Sequence, residues 1–485
     1  MAIPSSLRVP FISLEVSNAK AQQGPALLAY RALLLGQKTA AGTAAADSLH
    51  LVTSAAQVSA LAGRGSMLHR QALSWFENNL STELWIGVLA DNGAGVAASG
   101  TLTVSGPATA AGTLAVYIVG ERVEVAVANG DSANTIAAAL NTAINANLDL
   151  PVTSTVLNAV VTVTVRHKGL VGNGVDMRAN YREDDAYPAG VSVAVVAMSG
   201  GTTAPSLTAV VAALGDIWFH VWAHPWTDST SLDAIEAEMA SRFGPLRMIE
   251  GVVVTSAVGS TGTLSALGGG RNSPHSVIVA QDGDAHLTWS PEFAAAVAAV
   301  MAAEGAADPA RPFQTLPLVG ALPQAETDRF ALQERNLLLF DGIATSSTDA
   351  AGQVRIERLI TTYQTGAGGA ADTSYLDAVT MLTLLYLRYS FRTQFANEFP
   401  RHKLANDGVR FAPGQPVMTP SLGKGWALNW FRQMEALGLV EGFEQFKRDL
   451  VVQRNQTDPN RLDFLLPVDV INQLRVVGAT LQFLL

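Results

Sequence analysis

Each end of this chain is a short segment in which apolar and polar side chains alternate. Ile12, Leu14 and Val16 share one side near the N-terminus, and near the C-terminus the apolar side is formed by Val477, Ala479, Leu481, Phe483 and Leu485. An alternating strand of this kind is stable when its apolar face is buried in a sheet. That sheet belongs either to the same monomer or to another molecule, where main-chain hydrogen bonds supply the affinity. The pattern alone leaves both arrangements open; in the second, each end is an arm that joins a neighbouring copy.

Strands and helices alternate along two stretches between these ends. Strands are predicted at Ala26–Gly36, Leu84–Leu89, Ile217–Trp222, Gly251–Thr255 and Ser276–Ala280. Helices are predicted at Leu68–Phe76, Ser206–Leu214, Leu232–Phe243 and Pro291–Glu304, and Ser66 is the expected N-cap of the first. This alternation predicts an α/β domain with a mostly parallel sheet.

Residues 93–200 interrupt this pattern and are rich in Gly, Ala, Thr, Val and Ser. Alternating runs such as Leu114–Val119 and Val160–Val165 predict short strands separated by turns. One helix is expected after the N-cap Ser132. We predict a small β-rich domain inserted into the α/β domain.

Residues 366–485 form the last predicted part of the chain. Helices are predicted from Asp372 or Thr373 to Pro400 and from Thr419 to Gly438, and strands at Phe446–Arg454, Arg461–Leu466 and Leu474–Leu485. This part carries 12 Lys and Arg against 11 Asp and Glu, whereas the rest carries 19 against 30. A nearly neutral C-terminal part beside an acidic remainder is compatible with different partners for the two.

Composition excludes several classes of protein. A chain of 485 residues exceeds what one core usually holds, so two to four domains are expected. Because there is no Cys, disulfide scaffolds, thiol catalysis and cysteine-bound metals are excluded. The net charge of −10 is the opposite of that expected for a nucleic-acid binder. We expect no signal peptide and no transmembrane helix.

The sequence contains no catalytic signature of the GxSxG, GxxxxGK[ST] or HExxH type. Gly169–Gly174 has its glycines in the wrong order for a dinucleotide site and predicts a turn. His220 and His224 would share a metal on a helix, but in the predicted strand they lie ~13 Å apart. A cation site of Asp282, Asp284 and His286 is conceivable, and we interpret this run as a polar turn.

Three further groups have a structural interpretation. Ser66 is interpreted as an N-cap and not as a nucleophile, because no partner base is specified. Glu183–Asp185 is interpreted as a solvated acidic loop, and Trp426, Trp430 and Phe431 as core. We therefore predict no catalytic, cofactor-binding or metal site, and a protein that is not an enzyme.

Nine segments, taken in order along the chain, carry a further signal. They are Ile3–Val16, Leu33–Gln37, Gly63–Arg70, Phe399–Gly408, Pro413–Gln415, Val417–Pro420, Gly438–Glu441, Asp458–Asp463 and Asn472–Val476. As an ordered set they resemble the tail sheath proteins of contractile-tailed bacteriophages, the Mu-like group in particular. The resemblance covers both ends and most of the α/β part, and residues 93–200 match by type only.

The resemblance implies a noncatalytic polymer subunit without cofactors. Proteins of this family form hexameric rings stacked in a six-fold helical cylinder around a tail tube, and their arms link adjacent subunits. Contraction of the cylinder drives the tube through the bacterial envelope. The implied partners are further copies of the chain, the tail tube protein, and baseplate and neck or terminator proteins, with no direct nucleic-acid contact and no membrane insertion. The implied location is the virion tail, after assembly in the host bacterial cytoplasm.

The expected fold class is therefore α/β with three parts. The family resemblance implies a subtilisin-like α/β middle domain, an inserted β-rich domain, and a C-terminal α+β domain completed by inter-subunit strand addition. The expected boundaries are 1–22 for the N-terminal arm, 23–92 and 201–365 for the α/β domain, 93–200 for the insertion on the outer surface, 366–473 for the tube-facing C-terminal domain, and 474–485 for the C-terminal arm.

Two other classes of function stay open on the sequence. An α/β hydrolase would require a Ser, a His and an acid that converge in a pocket. A binding module such as a secreted adhesin is suggested by the β-rich insertion and opposed by the missing signal peptide. The sequence does not distinguish a phage tail from the sheath of a tailocin or a secretion machine.

Overall fold

The computed structural model describes residues 28–182, 184–285, 287–412 and 414–484. Within these ranges the chain divides into two packed units. The larger unit contains residues 29–387, 438–442 and 468–484, and the smaller unit contains residues 388–437 and 443–467. No helix in the described ranges is long and apolar enough to span a bilayer.

Strands alternate with helices along much of the described chain. The strands are β1 (Arg31–Gln37), β2 (Ser48–Val52), β3 (Glu83–Leu89), β4 (Ala97–Ser105), β5 (Gly112–Ile118), β6 (Glu121–Val127), β7 (Val152–Leu157), β8 (Val160–Lys168), β9 (Met177–Ala179), β10 (Ser192–Ser199), β11 (Val221–Ala223), β12 (Val252–Ala257), β13 (Ser276–Ala280), β14 (Ala344–Thr348), β15 (Val354–Arg358), β16 (Lys403–Leu404), β17 (Val417–Met418), β18 (Val440–Glu441), β19 (Val451–Arg454), β20 (Leu462–Leu465) and β21 (Asp469–Val470). The helices are α1 (Ala55–Ala62), α2 (Met67–Asn78), α3 (Ala133–Ala146), α4 (Thr208–Leu214), α5 (Ser229–Phe243), α6 (Thr261–Gly269), α7 (Ser290–Ala307), α8 (Leu332–Phe340), α9 (Ala378–Glu398), α10 (Pro420–Ala436) and α11 (Phe443–Asp449).

An eight-stranded sheet forms the centre of the larger unit, in the order β15-β14-β13-β12-β11-β1-β3-β2. Its six inner strands are parallel, and β2 and β15 are antiparallel edges. Leu33 and Leu35 of β1 pack against α4 and α5, and Gly36 approaches Leu68 of α2 on the opposite face. A strand covered on both faces needs the continuous apolar run that β1 has. The prediction of an α/β fold with a mostly parallel sheet is confirmed.

Residues 97–199 form two smaller antiparallel sheets, β10-β4-β8-β7 and β6-β5-β9. Helix α3 packs with them and begins where the hydroxyl of Ser132 accepts a hydrogen bond from the backbone N–H of Thr135 at 3.2 Å, as predicted. The shared apolar core of these elements also contains Met67 of α2 and Trp289, which precedes α7. The β-rich part is therefore joined to the α/β part by a common core as well as by its two connections.

Aromatic side chains fill the interior of the smaller unit. The rings of Phe391 in α9 and Trp430 in α10 meet edge to face with centroids 5.3 Å apart, and Phe431 stacks on Phe446 of α11 at 4.1 Å. Trp426, Trp430 and Phe431 are 9%, 2% and 0% exposed, so their interpretation as core is confirmed. Helix α10 begins as predicted, with Thr419 as N-cap and Pro420 in the first turn.

The long helix starts later than predicted. It was expected from Asp372 or Thr373, but α9 begins at Ala378. Residues 376–378 instead exchange backbone hydrogen bonds with residues 359–361, for example from Thr361 N–H to the carbonyl of Leu376 at 2.7 Å. The Asp372 carboxylate accepts hydrogen bonds from Ser374 N–H and Tyr363 O–H at 2.9 and 2.7 Å. These contacts fix a turn and an extended segment where the sequence pattern continues as a helix.

Two predicted strands are also wrong in part. The first half of Phe446–Arg454 is α11, because Phe446 packs on Phe431 and Gln445 donates to Asp449 one turn later at 3.1 Å. The strand expected at Ile217–Trp222 is reduced to β11. Residues 474–484, expected as a strand, pair with no other strand in the described chain.

Candidate assembly surfaces

The C-terminal segment is attached to the larger unit just before the predicted arm. Strand β21 pairs antiparallel with β18, with Val470 opposite Val440. The ladder continues one step further, where Ile471 N–H donates to the carbonyl of Leu439 at 3.1 Å. The side chain of Asn472 donates to Glu441 at 3.3 Å.

Arg475 forms the last described attachment of this segment. Its guanidinium donates to Asp377 at 3.0 Å and to the side-chain carbonyl of Gln314 at 3.1 Å, and the Gln314 amide donates to the carbonyl of Leu474 at 3.3 Å. The Arg475 side chain is only 16% exposed. Burial lowers the pKa of Arg475, and the charge of Asp377 opposes that shift. The root of the segment is therefore fixed by a charged contact that is largely withdrawn from water.

Beyond Arg475 the segment is exposed. Val477, Leu481 and Phe483 are 76%, 92% and 76% exposed, and Ala479 is exposed as well. Residues 476–484 form no backbone hydrogen bond with any described part of the chain. Leu485 and the N-terminal candidates Ile12, Leu14 and Val16 lie outside the described residues. The four C-terminal candidates that are described thus share one property: apolar surface that the described part of the chain leaves exposed.

The smaller unit contains a two-stranded sheet with open edges. β19 and β20 pair antiparallel with Val452 opposite Phe464, and neither has a third strand beside it in the described chain. One face packs on α10, where a Cβ on Gly423 would lie 3.1–3.2 Å from Leu462, Phe464 and Val452. On the other face Val451 and Leu465 are 45% and 63% exposed. Packing on α10 stabilises this two-stranded sheet, and both of its edges lack a further strand in the described chain.

Two other edges, at β15 and β7, are bonded to further residues of the chain itself. Beside β15, Thr315 N–H donates to Ile356 O at 2.8 Å and Ile356 N–H donates to Leu316 O at 2.9 Å. Beside β7, the Asn145 amide donates to Ser154 O and accepts from Ser154 N–H, at 2.8 and 3.0 Å. Both strands of the hairpin lie within segments predicted as strands, Phe446–Arg454 and Arg461–Leu466, but their pairing and open edges were not predicted, although the polar turn between them was a usable signal.

The two histidines of the HVWAH run do not form a metal site. His220 Nδ1 accepts a hydrogen bond from Arg31 N–H at 3.0 Å, and its ring stacks on Tyr30. His224 is fully buried, and neither of its ring nitrogens has a partner in the described chain. Burial lowers the pKa of both imidazoles to about 3, so both are neutral at pH 7. No group of three or more metal-binding side chains occurs among the described residues.

The remaining candidates have structural roles. Ser66 caps α2 by accepting from His69 N–H at 3.1 Å, as predicted. Asp282 accepts from Thr348 N–H at 3.0 Å, and burial raises its pKa; Asp284 is exposed and His286 lies outside the described residues. The acidic loop is solvated only in part, because the Asp185 side chain is 1% exposed and accepts from Tyr117 O–H at 2.6 Å. Gly169–Gly174 ends in a short 3-10 helix at Leu170–Gly174.

Two family models match the sequence. The phage tail sheath protein central domain matches residues 200–362, and the phage tail sheath C-terminal domain matches residues 370–483. A Mu-like prophage FluMu tail sheath protein from Haemophilus influenzae is 38% identical over 485 residues, which is 100% of this chain and 99% of that protein.

A solved sheath structure shares the fold. The anti-feeding prophage helical sheath in its contracted state has a TM-score of 0.50 at 9% identity, over 99% of each chain. A sheath tail protein from Desulfitobacterium hafniense has a TM-score of 0.49 at 14% identity, over 96% of this chain and 100% of that one. The sequence relatives are structural proteins and not enzymes, which confirms the noncatalytic prediction. The chain therefore belongs to the phage tail sheath protein family.

Proposed function

We propose that this chain is the repeating subunit of a contractile tail sheath. It polymerises as hexameric rings stacked in a six-fold helical cylinder around a tail tube, and contraction of the cylinder drives the tube through the bacterial envelope. Its partners are further copies of itself, the tail tube protein, and baseplate and neck or terminator proteins. It acts in the virion tail after assembly in the host cytoplasm. The same polymer in a related contractile injection system is the second candidate, favoured by the fold shared with the anti-feeding prophage sheath.

The exposed apolar segment after Arg475 carries this proposal. Residues 476–484 are a segment that pairs with no described strand, and the β19–β20 sheet has no described strand beyond either edge. In a polymer, the segment of one copy pairs with the hairpin of another by strand addition. Because donor and acceptor surfaces differ, the contact is head to tail and repeats without closing on itself, which generates a helical polymer.

The energy of one such contact is small. Five apolar side chains contribute roughly 8–15 kcal/mol when fully buried. Ordering about ten residues costs roughly 10–20 kcal/mol, and each new backbone hydrogen bond contributes about 0.5–1.5 kcal/mol. A single arm is therefore near balance, whereas a lattice in which every copy gives and receives arms is stable collectively.

The arms then act as tethers during contraction. The globular domains exchange one packed arrangement for another while the arms keep neighbouring copies connected, which makes the lattice a bistable assembly. The proposed domains keep the expected boundaries, with a subtilisin-like α/β middle domain at 23–92 and 201–365. The insertion at 93–200 faces outward, and the domain at 366–473 faces the tube between arms at 1–22 and 474–485.

Deletion of residues 476–485 tests the proposal. The deletion is expected to leave a folded monomer with wild-type circular dichroism and melting temperature, but no cylinders by negative-stain microscopy. A finer variant replaces Val477, Leu481 and Phe483 by Ser and is expected to behave in the same way. Its matched control, Thr480→Ser with Gln482→Ser, changes the other side of the strand and should form cylinders. Normal cylinders from the deletion would refute the arm.

A further inference from the structure

The two units differ in the sign of their net charge. The described residues of the smaller unit carry 11 Lys and Arg against 7 Asp and Glu, and the excess lies in residues 388–437, with 7 against 3. The larger unit carries 33 Asp and Glu against 18 Lys and Arg. Opposite net charges on two parts of one chain favour contact between unlike parts of different copies, and disfavour contact between two larger units.

The positive charge of the smaller unit is concentrated around the segment that connects β16 to β17. A surface that we call the basic loop surface consists of the exposed residues Arg401, Lys403, Val409, Arg410, Phe411 and Leu422. Val409, Phe411 and Leu422 are 54%, 45% and 57% exposed. Exposed arginine beside aromatic and aliphatic side chains is typical of residues that carry binding energy in protein interfaces.

The residues that precede Val409 in this connection are tied to their surroundings. Asp407 accepts a hydrogen bond from Ser421 N–H in the first turn of α10 at 3.0 Å, and Arg454 of β19 donates to the side chain of Asn406 at 3.2 Å. Lys403 N–H donates to Pro416 O at 2.9 Å across the β16–β17 pair. Hydrogen bonds from Thr419 and Ser421 lower the pKa of Asp407, which keeps this carboxylate ionised in its capping position.

The three acidic residues of this stretch are already engaged within the smaller unit. Asp407 is used as described, Glu398 accepts from the indole N–H of Trp426 at 2.8 Å, and Glu435 pairs with Arg432 at 3.6 Å. Within the described chain neither Arg401 nor Arg410 forms an ion pair. The guanidinium groups of the basic loop surface are therefore available to an acidic partner.

The neighbouring hairpin indicates which acidic partner is close, given the proposed strand addition. Arg454 belongs to β19, so the basic loop surface adjoins the open sheet. An arm that pairs with this sheet is rooted at Arg475 in the acidic larger unit of its own copy. Nine extended residues span at most about 30 Å. The arm therefore brings the donor's larger unit within about 30 Å of the basic loop surface.

We propose that the basic loop surface binds the acidic larger unit of the copy whose arm completes the β19–β20 sheet. The arm supplies a short-range connection, and the charged contact selects the orientation in which the donor docks. Such a contact weakens with salt, because exposed charges are screened beyond about 8 Å at physiological ionic strength.

The test compares two double variants of the full-length protein. Arg401→Glu with Arg410→Glu reverses two charges of the basic loop surface. Arg432→Glu with Arg461→Glu makes the same change in net charge at arginines of the same unit that are 57% and 64% exposed but already paired with Glu435 and Asp463. The critical concentration for polymer formation by the protein alone is measured by sedimentation from about 50 to 500 mM NaCl, and circular dichroism confirms that each variant folds.

The wild-type critical concentration is expected to rise with salt. The basic-loop variant should raise it at least about tenfold at low salt and flatten its dependence on salt, whereas the control should stay within about twofold of the wild type. Equal behaviour of the two variants would overturn the proposal. The proposal would also be overturned if the basic-loop variant self-assembled normally but no longer assembled around a tail tube, because the surface would then bind the tube. Polymerisation that requires added nucleic acid would overturn it as well. The deletion of residues 476–485, tested in parallel, separates the two proposals. If the deletion variant forms cylinders, the proposed role of the arm is wrong, but the comparison of the two charge variants remains valid.

Discussion

Strand β15 in the larger unit and the hairpin β19–β20 in the smaller unit are both sheet edges, but they are completed differently. Residues 315–318 of the same chain cover β15 with backbone hydrogen bonds. The hairpin has no such cover in the described chain, and it exposes Leu465. An unprotected edge is a hazard that monomeric proteins usually block. The β15 edge is closed by its own chain, and we propose that other copies complete the hairpin.

The largest loss of monomer stability is expected from a substitution in the interior of the larger unit. Arg70 is 5% exposed and donates to Glu292 at 2.6 and 3.1 Å and to Glu121 at 3.0 Å. Arg70→Met leaves the buried Glu292 without its partner and is expected to cost about 3–5 kcal/mol of unfolding free energy. Urea denaturation of the monomer measures this loss.

A second substitution separates lost pairing from lost packing. Combining Arg70→Met with Glu292→Leu removes both charges, and most of the stability should return. A double variant as unstable as Arg70→Met alone would show that the pair does not explain the loss.

Ile356 in β15 tests the covered edge itself. Its side chain is 1% exposed, its backbone N–H and C=O both bond to the covering segment, and it lies opposite Ser346 of β14. Ile356→Ala is expected to cost about 2–4 kcal/mol, because a buried apolar side chain is lost and a cavity is left. Thermal unfolding of the monomer is the measurement, and a change below about 0.5 kcal/mol would mean that this edge is not part of the closed core.

Local patterns predicted the elements whose stability is local. β13 occupies the predicted Ser276–Ala280, and Ser66, Ser132 and Thr419 cap helices as expected, because an N-cap depends only on the next three residues. The start of α9 could not be found in this way. It is set by hydrogen bonds between residues 376–378 and 359–361, a tertiary contact that overrides the helical pattern.

The candidate surfaces also divide into those that a local pattern predicts and those that depend on residues distant in the sequence. The C-terminal candidates were found from their alternation alone, and the described ones are exposed. The attachment at Arg475 was missed, because its partners Gln314 and Asp377 lie 161 and 98 residues away. The basic loop surface was also missed, because the near-neutral sum over residues 366–485 hides the excess of positive charge in residues 388–437.

The buried histidines of the larger unit predict an asymmetric response to pH. An unfolded His takes up a proton near pH 6.5, whereas His220 and His224 in the folded state have pKa values of about 3. Stability is therefore unaffected above pH 6.5 and falls as the pH drops below it, by about 1.4 kcal/mol per pH unit for each His. His224→Gln should remove about 2 kcal/mol of the loss between about pH 7 and pH 5. Urea midpoints across this range measure it, and an unchanged pH dependence would contradict the burial.

The smallest change in monomer stability is expected at Leu465, in the hairpin whose edges are open. Leu465 is 63% exposed and lies opposite Val451 on the face that does not touch α10. Leu465→Gln should change the unfolding free energy of the monomer by less than about 0.5 kcal/mol, since little apolar surface is buried there. In the proposed polymer, the same side chain lies in the sheet that the arm extends, so the critical concentration for cylinder formation should rise. A loss of monomer stability like that of Ile356→Ala would show that the hairpin is already closed within one chain, and a polymer that tolerates the change would show that this face of the hairpin stays uncovered after assembly.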